Sequence, residues 1–276
     1  MIDPPRDLSR LCLHTMTTRP WGLEEAVRRY AAAGVAGVTV WRSDFAGLGP
    51  AAAGQLVRAH GLSVVSLCRG GFFPAASAGD RARAIDENRR CVDEAAALGA
   101  PHVVLVCGSA PGVGLAAARE QIADGIAAVL PHAAAAKVKL AIEPLHPMYA
   151  ADRSAVTTLG QARAICSRLR SPWLGVAVDV YHTWWDDALE REIAGLGREG
   201  ELLAFHISDW KIPTTDLLED RGIMGEGCIP LRQIRGWVRE AGFTGFDEVE
   251  IFSRRLWAGD QARYLEAIKA AYLAHA

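Results

Sequence analysis

The chain has 276 residues, of which 50% are hydrophobic and 22% are charged, a composition typical of a globular protein with a large core. Its formal net charge is −2 and its Lys and Arg residues are scattered, so it lacks the basic surface that nucleic-acid-binding proteins usually carry. No apolar stretch approaches the roughly 18–20 residues of a transmembrane helix, and the N-terminal sequence has no apolar signal-peptide region.

Eight short runs rich in Val, Ile and Leu recur along the chain without strict alternation of apolar and polar residues. Runs of this kind are typical of strands that are buried on both faces, as in parallel sheets. We predict strands at residues 11–15, 36–41, 62–68, 102–108, 139–144, 174–180, 202–208 and 247–252.

Longer Ala- and Leu-rich stretches with a polar face separate these runs, for example residues 21–34, 81–99 and 115–136. Pro131 predicts a kink or break in the third of these helices. Eight strands that alternate with helices, with no linker between them, predict an α/β fold with a single (β/α)₈ TIM barrel domain over residues 1–276. The rival is an open doubly wound sheet, which usually has a glycine-rich loop after its first strand, and none follows residues 11–15 here.

The segment at residues 209–228 is long and shows no clear helical pattern. It follows the seventh predicted strand, on the side of a barrel where active sites form. Long irregular segments in compact domains are usually functional or mobile, so we consider this one a candidate lid.

One acidic or imidazole side chain lies near the C-terminal end of each of the last four predicted strands. These residues are Glu143, Asp179, His206 and Glu250. Taken singly, an aspartate at a strand end is often a helix cap, and a buried histidine is often a hydrogen-bonded core residue. Four such groups at one level of a closed barrel instead predict a metal site, because buried carboxylates need a partner.

Three carboxylates and one imidazole form an oxygen-rich set that favours Mn²⁺, with Mg²⁺ or Co²⁺ as alternatives. Such a site can hold a carbonyl and a neighbouring hydroxyl and make the intervening C–H bond more acidic. Glu143 and Glu250 come from strands separated by two others, so we expect them to flank the substrate and to exchange protons with it. This arrangement predicts isomerisation or epimerisation of a sugar or polyol-type substrate.

The same residues resemble the xylose-isomerase-like TIM barrel superfamily, which includes sugar phosphate isomerases and epimerases, over nearly the whole chain. The motifs are AIEP around Glu143, DVYH from Asp179 to His182, HISD from His206 to Asp209, the GEG turn at 225–227, and VEIF around Glu250. In the superfamily's ketose 3-epimerases the matching Glu, Asp, His and Glu bind the metal. The resemblance implies the same role here, with the two glutamates as the acid/base pair.

The resemblance also implies that His182 contacts substrate oxygens. The superfamily has a basic residue, usually Arg, shortly after the histidine of the seventh strand, and the nearest candidate here is Lys211. Because Lys and Arg differ in hydrogen-bond geometry, this departure leaves the identity of the substrate open.

Further side chains near strand ends are candidates for the pocket wall. Aromatic rings there can stack on the C–H faces of a sugar and exclude water, although each ring can equally serve in core packing. Arg69 precedes two glycines, and two histidines lie near strand ends, where each can instead have a structural role. The candidates are Trp41, Trp184, Trp210, Arg69, His146 and His14.

Other functions remain open at this stage. A lyase of the same superfamily, such as a keto-inositol dehydratase or an enzyme that cleaves a keto-sugar C-glycoside, would begin with the same proton abstraction. Barrel endonucleases that act at abasic sites need three zinc ions and basic DNA-binding loops. This chain has no such basic surface, so an endonuclease function is a remote alternative. We expect a cytoplasmic enzyme with a small-molecule substrate and no nucleic-acid or membrane partner; homo-oligomerisation is undecided.

Overall fold

The described part of the chain, residues 4–276 of a computed structural model, contains ten β-strands. Residues 1–3, which belong to the N-terminal segment expected not to be a signal peptide, lie outside the described residues. In chain order the strands are β1 (Leu11–His14), β2 (Gly37–Trp41), β3 (Ser63–Gly71), β4 (His102–Val106), β5 (Lys139–Glu143), β6 (Leu174–Asp179), β7 (Leu202–Ile207), β8 (Asp209–Trp210), β9 (Arg221–Gly222) and β10 (Asp247–Val249).

Eight of these strands form a closed parallel barrel in the order β1, β10, β7, β6, β5, β4, β3, β2. All eight predicted strands are therefore confirmed, although β3 runs three residues further than predicted and β10 ends earlier. The barrel closes where β1 pairs with β10, with Cys12 opposite Glu248. The strands are almost entirely buried because helices cover the outside and side chains fill the inside, which explains their apolar runs.

Helices follow the barrel strands and pack their apolar faces on the outside of the barrel. In α8, for example, Leu231, Ile234 and Val238 are buried at helical spacing. The helices are α1 (Leu23–Ala32), α2 (Pro50–Ala59), α3 (Ala78–Leu98), α4 (Leu115–Ala136), α5 (Leu159–Leu169), α6 (Val180–Thr183), α7 (Leu189–Glu199), α8 (Leu231–Glu240), α9 (Arg254–Trp257) and α10 (Gln261–His275).

The predicted break at Pro131 is wrong, because α4 continues through it as one helix. Pro131 and Ala127, whose carbonyl loses its amide partner, both lie on the exposed side of the helix. Water can satisfy that carbonyl, while buried Leu130 and Ala133 hold both halves of the helix against the barrel.

The segment at 209–228 is more ordered than its sequence indicates. β8 and β9 pair antiparallel, with Asp209 opposite Gly222 and Trp210 opposite Arg221. The carboxylate of Asp209 accepts hydrogen bonds from the amides of Gly225, Gly227 and Ile229, so one buried side chain organises the GEG turn. The pair is too short for periodicity to reveal it.

Two further features concern the chain as a whole. The six cysteines are all free, and five of them are buried. Among the helices of the described range, none combines the length and the apolar character that crossing a membrane requires.

Candidate metal centre

The four predicted ligands meet at the C-terminal end of the barrel. Glu143 and Asp179 end β5 and β6, His206 lies next to last in β7, and Glu250 directly follows β10. One ligand atom from each of the four lies within 4.8 Å of the others, and all four side chains are buried. Because these strands are neighbours in the barrel, their ends bring the ligand atoms into one cluster.

Local structure orients each of these groups. Asp179 caps α6 by accepting a 2.7 Å hydrogen bond from the amide of Tyr181 through Oδ1, so it is both a helix cap and a member of the cluster. The Nδ1 atom of His206 lies 2.9 Å from Glu143 Oε1. The amide of Glu250 still donates to the carbonyl of Ile207, which holds Glu250 at the rim of the barrel.

Arg221 enters the cluster, and the sequence analysis missed it. Its Nη1 atom lies 2.8 Å from Glu250 Oε2 and 3.2 Å from Asp179 Oδ2, and its Nη2 atom lies 3.1 Å from His182 Nε2. The guanidinium also lies over the rings of Tyr181 and Phe252. Nothing in the spacing of the 209–228 segment indicated that this arginine turns inward.

Lys211, the predicted basic residue, lies elsewhere. Its Nζ atom contacts Asp220 Oδ1 at 2.5 Å, and it does not line the cavity described below. Successive side chains in extended backbone point to opposite sides. Asp220 therefore faces Lys211 outside, while Arg221, the next residue, faces the cluster and takes the place expected for Lys211.

A second layer of buried polar residues lies beneath the cluster. Glu248 is on β10 and shares the inward face with Glu250, two residues away. Glu248 Oε2 accepts hydrogen bonds from Thr39 and Ser66 at 2.6 and 3.2 Å, and it lies 3.5 Å from His14 Nε2. The sequence analysis missed Glu248, although the two-residue spacing in DEVEIF was a usable signal.

Nearby carboxylates shift the pKa of two histidines, His14 in this layer and His206 in the cluster above it. Burial alone would lower the pKa of His14, but the nearby carboxylates of Glu250 and Glu248 raise it to about 9. Burial is likewise outweighed at His206, where the hydrogen bond to Glu143 and the charge of Glu248 raise the pKa to about 10. The neighbouring carboxylates thus favour the protonated form of both imidazoles.

The carboxylates respond to the same crowding. Burial raises the pKa of Asp179, and the charges of Glu250 and Glu143 raise it further against the opposing effect of Arg221. Burial also acts to raise the pKa of Glu250, yet Arg221 and His14 hold it well below its usual range. Burial and nearby negative charge therefore favour the neutral form of Asp179, whereas Arg221 and His14 favour the ionised form of Glu250.

The residues present fit a divalent cation. Three carboxylates and an imidazole form a donor set suited to such an ion. The buried Nε2 atom of His206 has no hydrogen-bond partner, and Glu248 Oε2 lies 3.8 Å from it. Ligating histidines usually direct their second ring nitrogen toward a carboxylate. Glu248 therefore stands where a supporting carboxylate is needed.

A cavity of about 110 Å³ opens above the cluster. Glu143 and Glu250 line it, but Asp179 and His206 do not, because they lie deeper. Three of the predicted substrate-binding residues, Trp41, Arg69 and His182, are in its wall. The other lining residues are Val106, Leu145, Tyr149, Arg153, Leu218, Arg221 and Phe252.

The remaining predicted wall residues do not line this cavity. Trp210 stacks on Tyr181 with ring centroids 4.8 Å apart, and Trp184 and His146 pack against Trp210. These three rings thus support the elements behind the wall. His14 lies beneath the cavity, where its Nδ1 atom is 3.1 Å from Glu250 Oε1 and 3.3 Å from the indole nitrogen of Trp41.

Comparisons with known proteins agree with this architecture. The family model described as xylose isomerase-like TIM barrel matches residues 27–271. The crystal structure of a protein from Sinorhizobium meliloti 1021 is 50% identical, with a TM-score of 0.93, and the match covers 96% of this chain and 98% of that one. No curated protein sequence matches the chain.

Two more distant structures share the fold. The IolI protein, solved with a bound zinc atom, is 19% identical with a TM-score of 0.82, and the match covers 95% of this chain and 96% of that one. D-psicose 3-epimerase, solved in the presence of D-fructose, is 16% identical with a TM-score of 0.78 and the same coverage of both chains.

Proposed function

From the premise that the chain belongs to the xylose isomerase-like TIM barrel family, we propose that it is a metal-dependent isomerase or epimerase acting on a small polyhydroxy carbonyl substrate. The observation that carries the proposal is the four-residue cluster at the floor of a cavity, with two glutamates of that cluster also in the cavity wall.

Glu143, Asp179, His206 and Glu250 would hold the cation, for which we propose Mn²⁺, with Mg²⁺, Co²⁺ or Zn²⁺ as the other ions to test. The zinc of the IolI structure adds Zn²⁺ to this set. When bound, the ion would polarise the substrate carbonyl and make the neighbouring C–H bond more acidic.

Glu143 and Glu250 are the candidates for the proton transfers themselves. Both reach the cavity, and they come from strands separated by β6 and β7 in the barrel. Arg221 and His14 keep Glu250 ionised, so its carboxylate can accept a proton at neutral pH. If Glu143 returns a proton to the opposite face of the same carbon, that centre is inverted, which is epimerisation. If the proton is instead returned to the neighbouring carbon, the carbonyl moves, which is isomerisation.

His182 and Arg221 are the candidates for orienting the substrate. Their side chains contact each other at 3.1 Å and both line the cavity. Burial and the positive charge of Arg221 keep the pKa of His182 well below its usual range, so its imidazole is neutral. A neutral imidazole and a guanidinium can each bind hydroxyl or carbonyl oxygens, while Phe252 and Trp41 exclude water.

The test is to incubate the Mn²⁺-loaded protein in D₂O with a panel of ketoses, keto-inositols and keto-glycosides. Deuterium uptake next to the carbonyl without elimination supports an isomerase or epimerase, whereas loss of water or of an aglycone identifies the lyase instead. Absence of exchange and of elimination with the whole panel contradicts the proposal.

A Glu250→Gln variant should retain the fold and lose exchange, because the amide cannot accept the proton. The matched control is Glu266→Gln, which changes an exposed glutamate of α10 that pairs with Lys269. Full exchange in the Glu250→Gln variant would remove Glu250 from the acid/base pair.

A further inference from the structure

Two arginines in the cavity wall have no acidic partner. Arg69 belongs to β3 and Arg153 follows β5, and both line the cavity together with Glu143 and Glu250. Their guanidinium groups lie over aromatic rings, Arg69 at 4.5 Å from the Phe72 centroid and Arg153 at 5.6 Å from that of Tyr149. Within residues 4–276 neither arginine forms an ion pair with a carboxylate.

Many other arginines of the protein do have acidic partners. Arg28, Arg83 and Arg89 pair with acidic residues on the surface of their own helices. Arg221 lines the same cavity as Arg69 and Arg153, and it contacts two carboxylates. The cavity therefore contains positive charge beyond what its own carboxylates bind directly.

The two unpaired guanidinium groups also act on each other. Burial lowers the pKa of Arg69, and the positive charge of Arg153 lowers it further. Holding two cations near each other and partly out of water is unfavourable unless an anion joins them. The negative charges of Glu143 and Glu250 act in the opposite direction and raise the pKa of Arg69, so its guanidinium is near the proposed acid/base pair.

We propose that Arg69 and Arg153 bind an anionic group of the substrate, which makes the substrate a sugar acid or a sugar phosphate rather than an uncharged sugar. The inference rests on the proposed function, since it adds a second anchor to the same site. Guanidinium groups bind carboxylate and phosphate oxygens through paired hydrogen bonds. The substrate then extends from the metal-binding residues, where its carbonyl reacts, to the two arginines, where its charge is held.

The binding test uses analogues that cannot react because they have no carbonyl: an uncharged alditol, the matching aldonate and the matching alditol phosphate. Calorimetry on the Mn²⁺-loaded protein gives the affinity of each. Charge-assisted hydrogen bonds predict that an anionic analogue binds roughly 10–100-fold more tightly than the alditol. The tighter-binding anion, aldonate or alditol phosphate, shows whether the site prefers a carboxylate or a phosphate.

The variants are Arg69→Met and Arg153→Met, which keep a long unbranched side chain and remove the charge. Each should weaken binding of the preferred anion by roughly tenfold or more and change binding of the alditol by less than about twofold. Arg153→Lys should restore part of the loss because it restores the charge. The control is Arg89→Met on α3, and melting temperatures establish that all variants fold.

The same variants are then assayed for turnover with an uncharged 2-ketohexose, a 2-keto-aldonate and a ketohexose phosphate. We expect KM for the anionic substrate to rise in both variants while kcat changes little. Equal binding of charged and uncharged analogues, unaffected by either substitution, overturns the inference even if the ketohexose exchanges its proton. Arginine-dependent anion binding without exchange of any substrate sustains the anion site and contradicts the proposed reaction.

Discussion

His102 should make the protein less stable in mild acid. This histidine begins β4, is buried, and its Nε2 atom has no hydrogen-bond partner. Burial lowers its pKa from 6.5 to about 4, which the positive charges of His206 and Lys139 assist and Glu248 opposes. The folded protein therefore keeps His102 neutral at a pH where the unfolded chain protonates it.

The free energy of unfolding must then fall as the pH decreases from about 6.5 toward 4, because the unfolded state binds more protons over that range. At pH 5, which is about 1.5 pH units below the unfolded pKa of His102, protonation of this residue stabilises the unfolded chain about 30-fold. The free energy of unfolding is therefore lower by about 2 kcal/mol. Over the whole interval the loss approaches about 3 kcal/mol.

A His102→Leu variant removes this contribution while keeping an apolar side chain at the same place. Denaturant unfolding at pH 8 and pH 5 is measured for both proteins, with exposed His60→Leu as the matched control. The variant should lose about 2 kcal/mol less than the unaltered protein between the two pH values, since all other titrating groups cancel in the comparison. The reasoning would be refuted if both proteins lost the same free energy of unfolding, or if the imidazole resonance of His102 titrated near pH 6.5.

Three other changes should separate the parts of the centre. Glu248→Gln leaves every proposed ligand in place but removes the carboxylate behind His206, so metal affinity should fall by roughly 10–100-fold in a competition titration; unchanged affinity would mean that Glu248 serves packing only. Adding Mn²⁺ at about 100 times its Kd should raise the free energy of unfolding by about 2.7 kcal/mol, and a chelator should reverse the gain; a melting temperature indifferent to both would argue against a metal site. Gly227→Ala should loosen the 209–228 segment, because the added Cβ would lie 2.1 Å from the carbonyl oxygen of Trp210; proteolysis within that segment, with Gly47→Ala as the unhindered control, reports the change, and equal cleavage rates would contradict it.

The barrel could be predicted because each of its strands has a recognisable local sequence pattern. A strand buried on both faces needs apolar residues at every position, so the eight runs stand out even without knowledge of their neighbours. The same regularity made the metal-binding candidates visible, since Glu143 and Glu250 interrupt apolar runs in which an unpaired charge is unfavourable.

The parts that escaped prediction depend on contacts between distant positions. Arg221 reaches the cluster from a segment whose path is determined by Asp209 and by a two-residue strand pair, and neither has a periodic signature. Ring placement was equally inaccessible. Whether Trp41 or Trp210 faces the cavity depends on which aromatic neighbour each meets, and those neighbours lie far along the chain.

The pairing of β1 with β10 means that the first and last barrel strands share one seam, and part of the centre is built across it. His14 from one side of the seam contacts Glu250 from the other at 3.1 Å. The four proposed ligands come from β5, β6, β7 and β10, which are neighbours on one side of the seam, so they need no contact across it. Closure of the barrel adds His14, which lowers the pKa of Glu250 together with Arg221. A substitution that separates β1 from β10 therefore removes this support from one of the two proposed acid/base groups.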